Sequence, residues 1–144
     1  MSDGEQFAKF NIYEGLLVHV ELGAKSPTIQ EFREFLAGIT QLLDNGVPFT
    51  FFVDASQLGT VPMATSVETV TFLRQERPRI AQLMKASAIF IKSEFVVGLL
   101  NWVFTLQPPV SPNVVVNDAA EGMRFIEQHM TPVHVDGVTT HRNI

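Results

Sequence analysis

The sequence contains no cysteine among its 144 residues. This absence excludes disulfide bonds, thiol nucleophiles and thiolate metal ligands, and it fits a reducing compartment. Basic residues are also few: 10 Lys and Arg, spread along the chain, stand against 15 Asp and Glu, which gives a net charge of −5. Because a nucleic-acid backbone binds to a continuous basic surface, we expect no nucleic-acid partner.

Two further absences concern membranes and targeting. No uncharged apolar run reaches the ~18 residues that a transmembrane helix needs. The first residues, Met1 to Glu5, are polar and acidic, whereas a secretory signal begins with positive charge and continues with an apolar segment. We therefore expect a cytoplasmic protein without an integral membrane segment.

The sequence also lacks the motifs of catalysis and cofactor binding. His19, His129, His134 and His141 show no metal-ligand spacing. There is no G-x-S-x-G nucleophile motif, no phosphate-binding P-loop and no dinucleotide-binding glycine cluster. The sequence thus predicts a protein that is not an enzyme, with no catalytic residues, no cofactor and no metal.

What is present is an alternation of strand and helix patterns. Residues 7–12 and 16–22, separated by the turn-forming pair Glu14-Gly15, predict a β-hairpin. The apolar run Phe49 to Val53 lacks polar alternation, which is typical of a parallel strand that is covered on both faces. Two further buried strands are predicted at 86–91 and 114–116.

Helix signals fill the segments between these strands. Thr28 with Glu31, and Thr65 with Glu68, have the spacing of capping boxes, which predicts that a helix begins at each pair. Pro78 predicts a kink or a restart in the second of these helices, because proline cannot donate the helical hydrogen bond. Further helices are predicted at 94–106 and after Asn117-Asp118.

The resulting element order, ββαβαβαβα, indicates the α/β class. Helix-linked strands predict a mostly parallel five-stranded sheet, with one antiparallel strand from the N-terminal hairpin and helices packed on the sheet. We expect a single domain over residues 6–130, a disordered N-terminus at residues 1–5 and a loose C-terminal tail at 131–144.

The helix at 94–106 is apolar around most of its circumference, with one narrow polar stripe. Such a helix needs more cover than a single sheet provides. Neighbouring elements of the same chain, a second copy in a homodimer, or a lipid or other apolar ligand could each provide it. The candidate residues for a dimer or apolar-ligand face are Phe95, Leu99, Trp102, Val103 and Leu106.

The element order resembles that of the STAS domain, the sulfate transporter and anti-sigma factor antagonist family. The resemblance rests also on Val53-Asp54-Ala55-Ser56, which leaves the central strand, and on residues 117–126, which open the last helix. It covers about residues 7–130. STAS domains are in turn similar in architecture to CRAL-TRIO lipid-binding domains, and the resemblance therefore implies two roles: binding of a protein or binding of an apolar molecule.

The resemblance also implies a regulatory site. In STAS proteins of the anti-sigma-antagonist type, an aspartate ends the third strand, a serine follows two residues later, and a phosphorylatable Ser or Thr begins the next helix. Asp54 and Ser56 match the first two positions, and Thr65 or Ser66 falls near the third, although Met63-Ala64-Thr65-Ser66 replaces the usual Asp-Ser-Ser-Gly.

We therefore expect these four side chains to converge above the sheet as an interaction and phosphorylation site. The leading interpretation is a non-catalytic module that binds another protein, whose identity the sequence does not indicate, under control of phosphorylation. The alternatives are a CRAL-TRIO-like binder of a lipid or apolar small molecule, and a homodimeric structural protein.

Overall fold

The computed structural model describes residues 6–14, 16–130, 133–135 and 138–140. The stretch 1–5, for which disorder was predicted, lies outside the described residues. The elements are β1 (Ala8–Tyr13), β2 (Leu17–Leu22), α1 (Ile29–Asp44), β3 (Phe49–Ala55), α2 (Ala64–Leu83), β4 (Met84–Ile91), α3 (Glu94–Leu106), β5 (Asn113–Val116), α4 (Ala119–Gln128), β6 (Val133–Val135) and β7 (Val138–Thr140).

The first five strands form one sheet in the order β1-β2-β3-β4-β5. β1 pairs antiparallel with β2, and every later neighbour pairs parallel. This confirms the predicted α/β fold, its element order and its single antiparallel strand. β3 lies at the centre and its seven residues are buried except for the half-buried Asp54, as its unbroken apolar sequence predicts.

Alternation along β3 separates the two faces of the sheet. Phe49, Phe51 and Val53 belong to a large core cluster that includes buried residues of α1, α2 and α3. Phe52 points the other way and joins a smaller cluster with Ile126 of α4. The domain is therefore a three-layer structure in which α1, α2 and α3 cover one face and α4 covers part of the other.

Of the two capping boxes predicted from the sequence, one is present at the start of its helix and the other is not. Thr28 accepts a hydrogen bond from the backbone N–H of Glu31, and the Glu31 carboxylate accepts one from the N–H of Thr28, so the first capping box is confirmed. The second prediction was wrong: α2 begins one residue before Thr65. The Thr65 hydroxyl donates to the carbonyl oxygen of Pro62 instead of capping the helix.

Of the kink or restart predicted at Pro78, the restart does not occur, because α2 continues through Pro78 to Leu83. Pro78 is exposed, so water can reach the carbonyl group that its missing N–H leaves without a partner. Beyond α4, where a loose tail was predicted, β6 and β7 pair antiparallel as a separate two-stranded sheet.

Candidate functional site

A pocket of about 200 Å³ lies between the sheet and the helices α1, α2 and α3. Its floor is the face of β3 and β4 that carries Phe51, Val53 and Ile89, and its roof includes Leu99 and Val103 of α3. Because α2 and α3 each connect parallel strands, both run antiparallel to the strands and parallel to each other. The pocket therefore extends along the strands, from their carboxyl ends to their amino ends.

The walls of the pocket are almost wholly apolar. Phe, Leu, Ile, Val and Met side chains from the floor and the helices make up most of the lining, and none of the described residues that line it is Asp, Glu, Lys, Arg or His. A charged group placed inside would lose its hydration without gaining a counter-ion. The lining therefore favours an uncharged apolar occupant.

A few polar side chains interrupt this lining, in two groups. At the carboxyl ends of the strands, the first turns of α2 contribute Thr65, Ser66 and Thr69. The hydroxyls of Thr65 and Thr69 donate to the carbonyl oxygens of Pro62 and Thr65, at 2.7 Å in each case. These two hydroxyls are therefore committed to the backbone of α2.

At the amino ends of the strands, the lining includes Ser87 of β4, Asn113 of β5 and Gln107, the residue that ends α3. Asn113 Nδ2 donates to Ser87 Oγ at 2.7 Å, and the two residues are also register partners in the sheet. We call Ser87, Gln107, Ser111 and Asn113, which all line the pocket, the polar end of the pocket.

Two residues of the lining, Ser66 and Gln107, have polar side chains that make no hydrogen bond to any residue that the structure describes. Ser66 is 5% exposed and Gln107 is 9% exposed, and the polar atoms of both side chains stay accessible to solvent, because among the described residues the fully buried side-chain polar atom without a partner is Thr50 Oγ1. Both have atoms that face the open pocket. An accessible hydroxyl and an accessible amide without a described partner are available to a molecule inside the pocket.

Asp54 and Ser56 lie apart from this lining. The Ser56 backbone N–H and hydroxyl both donate to Asp54 Oδ1, at 3.0 and 2.6 Å. By alternation Asp54 lies on the same face as Phe52, opposite the pocket. The predicted four-residue site is thus two pairs: Asp54 with Ser56 form a hydrogen-bonded turn, whereas Thr65 and Ser66 line the pocket.

The predicted apolar face of α3 is also divided. Phe95, Trp102 and Leu106 are 46, 45 and 49% exposed, whereas Leu99 and Val103 line the pocket. At roughly 100° per residue, Val103 lies about 80° around the helix from Phe95, and Leu99 lies between them at about 40°, so the apolar residues pass from solvent to the pocket across this arc. The helix therefore covers the pocket with one side and presents an exposed apolar side, which we call the outer face of α3.

Backbone contacts hold the start of α3 over the pocket. The Ser93 hydroxyl caps α3 by accepting from the N–H of Val96, and it donates to the carbonyl oxygen of Gly59. The N–H groups of Gly59 and Thr60 in turn donate to the carbonyl oxygen of Lys25. Three loops at the carboxyl ends of the strands are thereby joined into one rigid border of the pocket.

Ion pairs connect α1 to α2 on the outside. Arg33 Nη2 lies 2.7 Å from Glu68 Oε2, and Arg33 Nε donates to the same carboxylate. The hydrogen bonds from Arg33 lower the pKa of Glu68, and those to Glu68 raise the pKa of Arg33. Arg79 makes a similar bridge to Asp44. Glu68, predicted to cap a helix, instead holds two helices together.

Neither a metal centre nor a membrane span is found in the described part of the chain. No group of three or more His, Asp or Glu side chains there could hold a metal ion. Among the same residues, no helix combines the length and the hydropathy required to cross a bilayer.

Comparison with known proteins supports the architecture. No protein-family model matches the chain, and no curated protein matches it. A crystal structure from Shewanella loihica PV-4, of an uncharacterized protein from the DUF3478 family with a SpoIIAA-like fold, superposes with a TM-score of 0.56. The match covers 88% of this chain and 98% of that one. The fold is SpoIIAA-like. This is the STAS-like architecture that the sequence resembles.

The likeness to the SpoIIAA-like protein is one of fold, because the two chains are only 11% identical. The relation to CRAL-TRIO domains stays a prediction. Gln107 was not among the site residues predicted from the sequence. The available signal was its position: it is the first polar residue after the apolar helix, directly before Pro108-Pro109, where a loop turns back toward the sheet.

Proposed function

We propose that this protein binds a small apolar molecule, without transforming it, in the pocket between the sheet and α1, α2 and α3. The observation that carries the proposal is an apolar pocket of about 200 Å³ whose lining also includes two polar side chains, Ser66 and Gln107, without a partner among the described residues. Natural cores are close-packed, and ligand sites combine apolar walls with a few polar groups. We therefore prefer the alternative that the protein binds a lipid or another apolar ligand to the interpretation that it binds another protein.

The size of the pocket limits the ligand. A cavity of about 150 Å³ with Leu, Ile and Phe walls binds benzene, so a pocket of about 200 Å³ holds roughly eight or nine non-hydrogen atoms. Each buried methylene contributes about 0.8 kcal/mol, and association costs offset part of the sum. We expect dissociation constants between about 1 µM and 1 mM for a molecule of this size.

A titration with n-octanol followed by NMR tests the proposal. We expect saturable shifts concentrated in residues that line the pocket. Leu99→Trp would place a large ring in the pocket and should remove the binding. Gly98→Trp is the matched control, because a Cβ atom on Gly98 meets nothing within 4 Å, and this variant should bind n-octanol as the original does.

Two results would contradict the proposal: an absence of saturable shifts in the original protein, or equal binding by the Leu99→Trp variant. Native mass spectrometry of protein purified from cells provides a second measurement. Binding in the pocket would be supported if a neutral molecule stays bound to the original protein and to the Gly98→Trp variant but is absent from the Leu99→Trp variant.

Regulation by phosphorylation receives less support from the geometry. Thr65 and Ser66 are 2 and 5% exposed, and a kinase needs its acceptor hydroxyl in solution. The Thr65 hydroxyl is also engaged with the backbone. The proposed function therefore does not include a phosphorylation step at these two residues.

Protein binding is a second candidate, and the outer face of α3 favours it. Phe95, Trp102 and Leu106 lie within about 40° of one another around the helix, and each is nearly half exposed. Exposed aromatic and aliphatic groups that share one side of a helix are typical of interaction surfaces. The partner that we propose to test first is a second copy of this chain, as in the homodimer considered from the sequence.

Sedimentation of the protein at micromolar concentration tests this second candidate. If the outer face forms a dimer, Trp102→Glu should give a monomer, while Arg124→Glu, an exposed change on α4, should leave the dimer intact. A monomer at all accessible concentrations would remove the homodimer.

A further inference from the structure

The polar end of the pocket indicates which class of apolar molecule the protein binds. We infer that the ligand is uncharged and carries a group that both donates and accepts a hydrogen bond, such as an alcohol hydroxyl, which it places against the Gln107 amide, itself both a donor and an acceptor. This inference rests on the proposed function and specifies the chemistry of the molecule in the same pocket.

The amide of Gln107 has hydrogen-bonding groups that no described residue uses. Gln107 is 9% exposed, it lines the pocket, and its amide makes no hydrogen bond to the described residues. Its backbone N–H is satisfied separately by the carbonyl oxygen of Val103. Because the amide is accessible in the pocket, a ligand group that hydrogen-bonds to it takes the place of water and gains the modest net free energy of one hydrogen bond.

The electrostatic environment at this end also limits the ligand. Gln107 follows the last residue of α3, where the unpaired carbonyl groups of a helix carry a partial negative charge. An anionic ligand group would be repelled there. Among the described lining residues there is no Lys, Arg or His that could neutralise it, so a carboxylate would lose its hydration without compensation.

The other end of the pocket does not provide an anion site either. Although α2 begins there, the N–H groups of Thr65 and Ser66 already donate to the carbonyl oxygens of Pro62 and Met63, at 2.9 and 3.1 Å. The Ser66 hydroxyl remains available, but it is neutral. A buried cation is also disfavoured. It would lose its hydration, and no described Asp or Glu lines the pocket to neutralise it.

Three ligands of similar length separate the possibilities: n-octanol, which donates and accepts a hydrogen bond; heptyl methyl ether, which has the same atoms but only accepts; and n-octanoate, which is charged. Titration calorimetry of the full chain at neutral pH gives the affinities. We expect n-octanol to bind about three to ten times more tightly than the ether, which corresponds to one net hydrogen bond. We expect n-octanoate to bind at least about tenfold more weakly than n-octanol.

A variant then assigns this preference to Gln107. Gln107→Leu introduces an apolar side chain of similar size and removes the amide, so n-octanol and the ether should bind this variant with equal affinity. Gln75→Leu is the control, because Gln75 is exposed on α2 and does not line the pocket; the preference for n-octanol should persist. The comparison of three ligands on the original protein needs no variant, so a poorly folded Gln107→Leu protein would not obscure the result.

Each outcome has a distinct meaning. Equal affinity for n-octanol and the ether, or affinity for n-octanoate equal to or above that for n-octanol, overturns the inference and leaves the proposed function intact. A preference for n-octanol that survives Gln107→Leu also overturns the assignment to Gln107. If none of the three ligands binds, the proposed function fails, and the inference fails with it.

Discussion

Gly122 of α4 lies against Phe52 of β3 so closely that a Cβ atom on Gly122 would come within 2.8 Å of Phe52 Cε2. The ring cannot move aside easily, because it is 1% exposed and stacks on His19 with ring centroids 5.1 Å apart. Val116 Cγ2 would lie 3.2 Å from the same Cβ position. This contact sets the separation between α4 and the sheet.

We predict that Gly122→Ala destabilises the protein by up to about 2 kcal/mol, since the cost of overpacking, about 1–3 kcal/mol, is offset by only roughly 1 kcal/mol of helix propensity. Urea denaturation measures the change in the free energy of unfolding. Gly98→Ala is the control: it lies in a helix with open space around it, and it should stabilise by about 0.5–1 kcal/mol. Stabilisation by both substitutions would show that α4 does not approach Phe52 this closely.

The pair Arg33–Glu68 predicts a dependence of stability on pH. The hydrogen bond from Arg33 lowers the pKa of Glu68 in the folded protein. The stabilisation is therefore complete above the pKa that Glu has in the unfolded chain, and it is lost as the pH falls through the lower, folded value. Glu68→Gln should reduce the urea midpoint at neutral pH, and the difference between the two proteins should vanish in acid.

Salt provides a check on the same pair, because both side chains reach solvent and added ions screen exposed charges. The difference between the Glu68→Gln variant and the original should therefore shrink in high salt. Gln75→Glu, an exposed change on the same helix, controls for the general effect of charge. A midpoint difference that stays constant with pH would exclude the ion pair as its source.

Because Ser66 is buried, we predict that a carboxylate introduced there lowers stability more than a carboxylate introduced at the neighbouring Val67. Ser66→Glu would place a charge in the apolar pocket and should destabilise the protein by roughly 3 kcal/mol. Val67→Glu, at a residue that is 57% exposed, should change stability by less than about 0.5 kcal/mol. Thermal unfolding of the two variants measures the contrast. Equal stability would mean that solvent, and therefore a kinase, reaches Ser66.

Two substitutions in the turn after β3 should destabilise the protein to different degrees. Asp54→Ala removes the acceptor of both hydrogen bonds from Ser56 and should cost about 1–2 kcal/mol. Ser56→Ala removes only the bond from the hydroxyl and should cost about half as much. Guanidinium denaturation of both variants tests the order; a larger loss from Ser56→Ala would show that the Ser56 hydroxyl has another role.

Local patterns were sufficient wherever a short-range interaction decides the structure. The capping box at Thr28 and Glu31 formed as predicted because its partners are three residues apart. The same spacing at Thr65 and Glu68 was misleading, because Arg33, which is distant in sequence, takes the Glu68 carboxylate and Pro62 accepts from the Thr65 hydroxyl. A sequence pattern cannot express such competition between a local and a distant partner.

The chain by itself determined the element order, the single antiparallel strand and the burial of β3, because these follow from hydrophobic periodicity and from the geometry of helix-linked strands. Only the tertiary structure decided which side of α3 covers the pocket, and that Ser66 and Gln107 face it while Asp54 lies on the opposite face of the sheet. Those facts depend on how helices rotate and space themselves on the sheet, which is set by many weak packing contacts between distant residues.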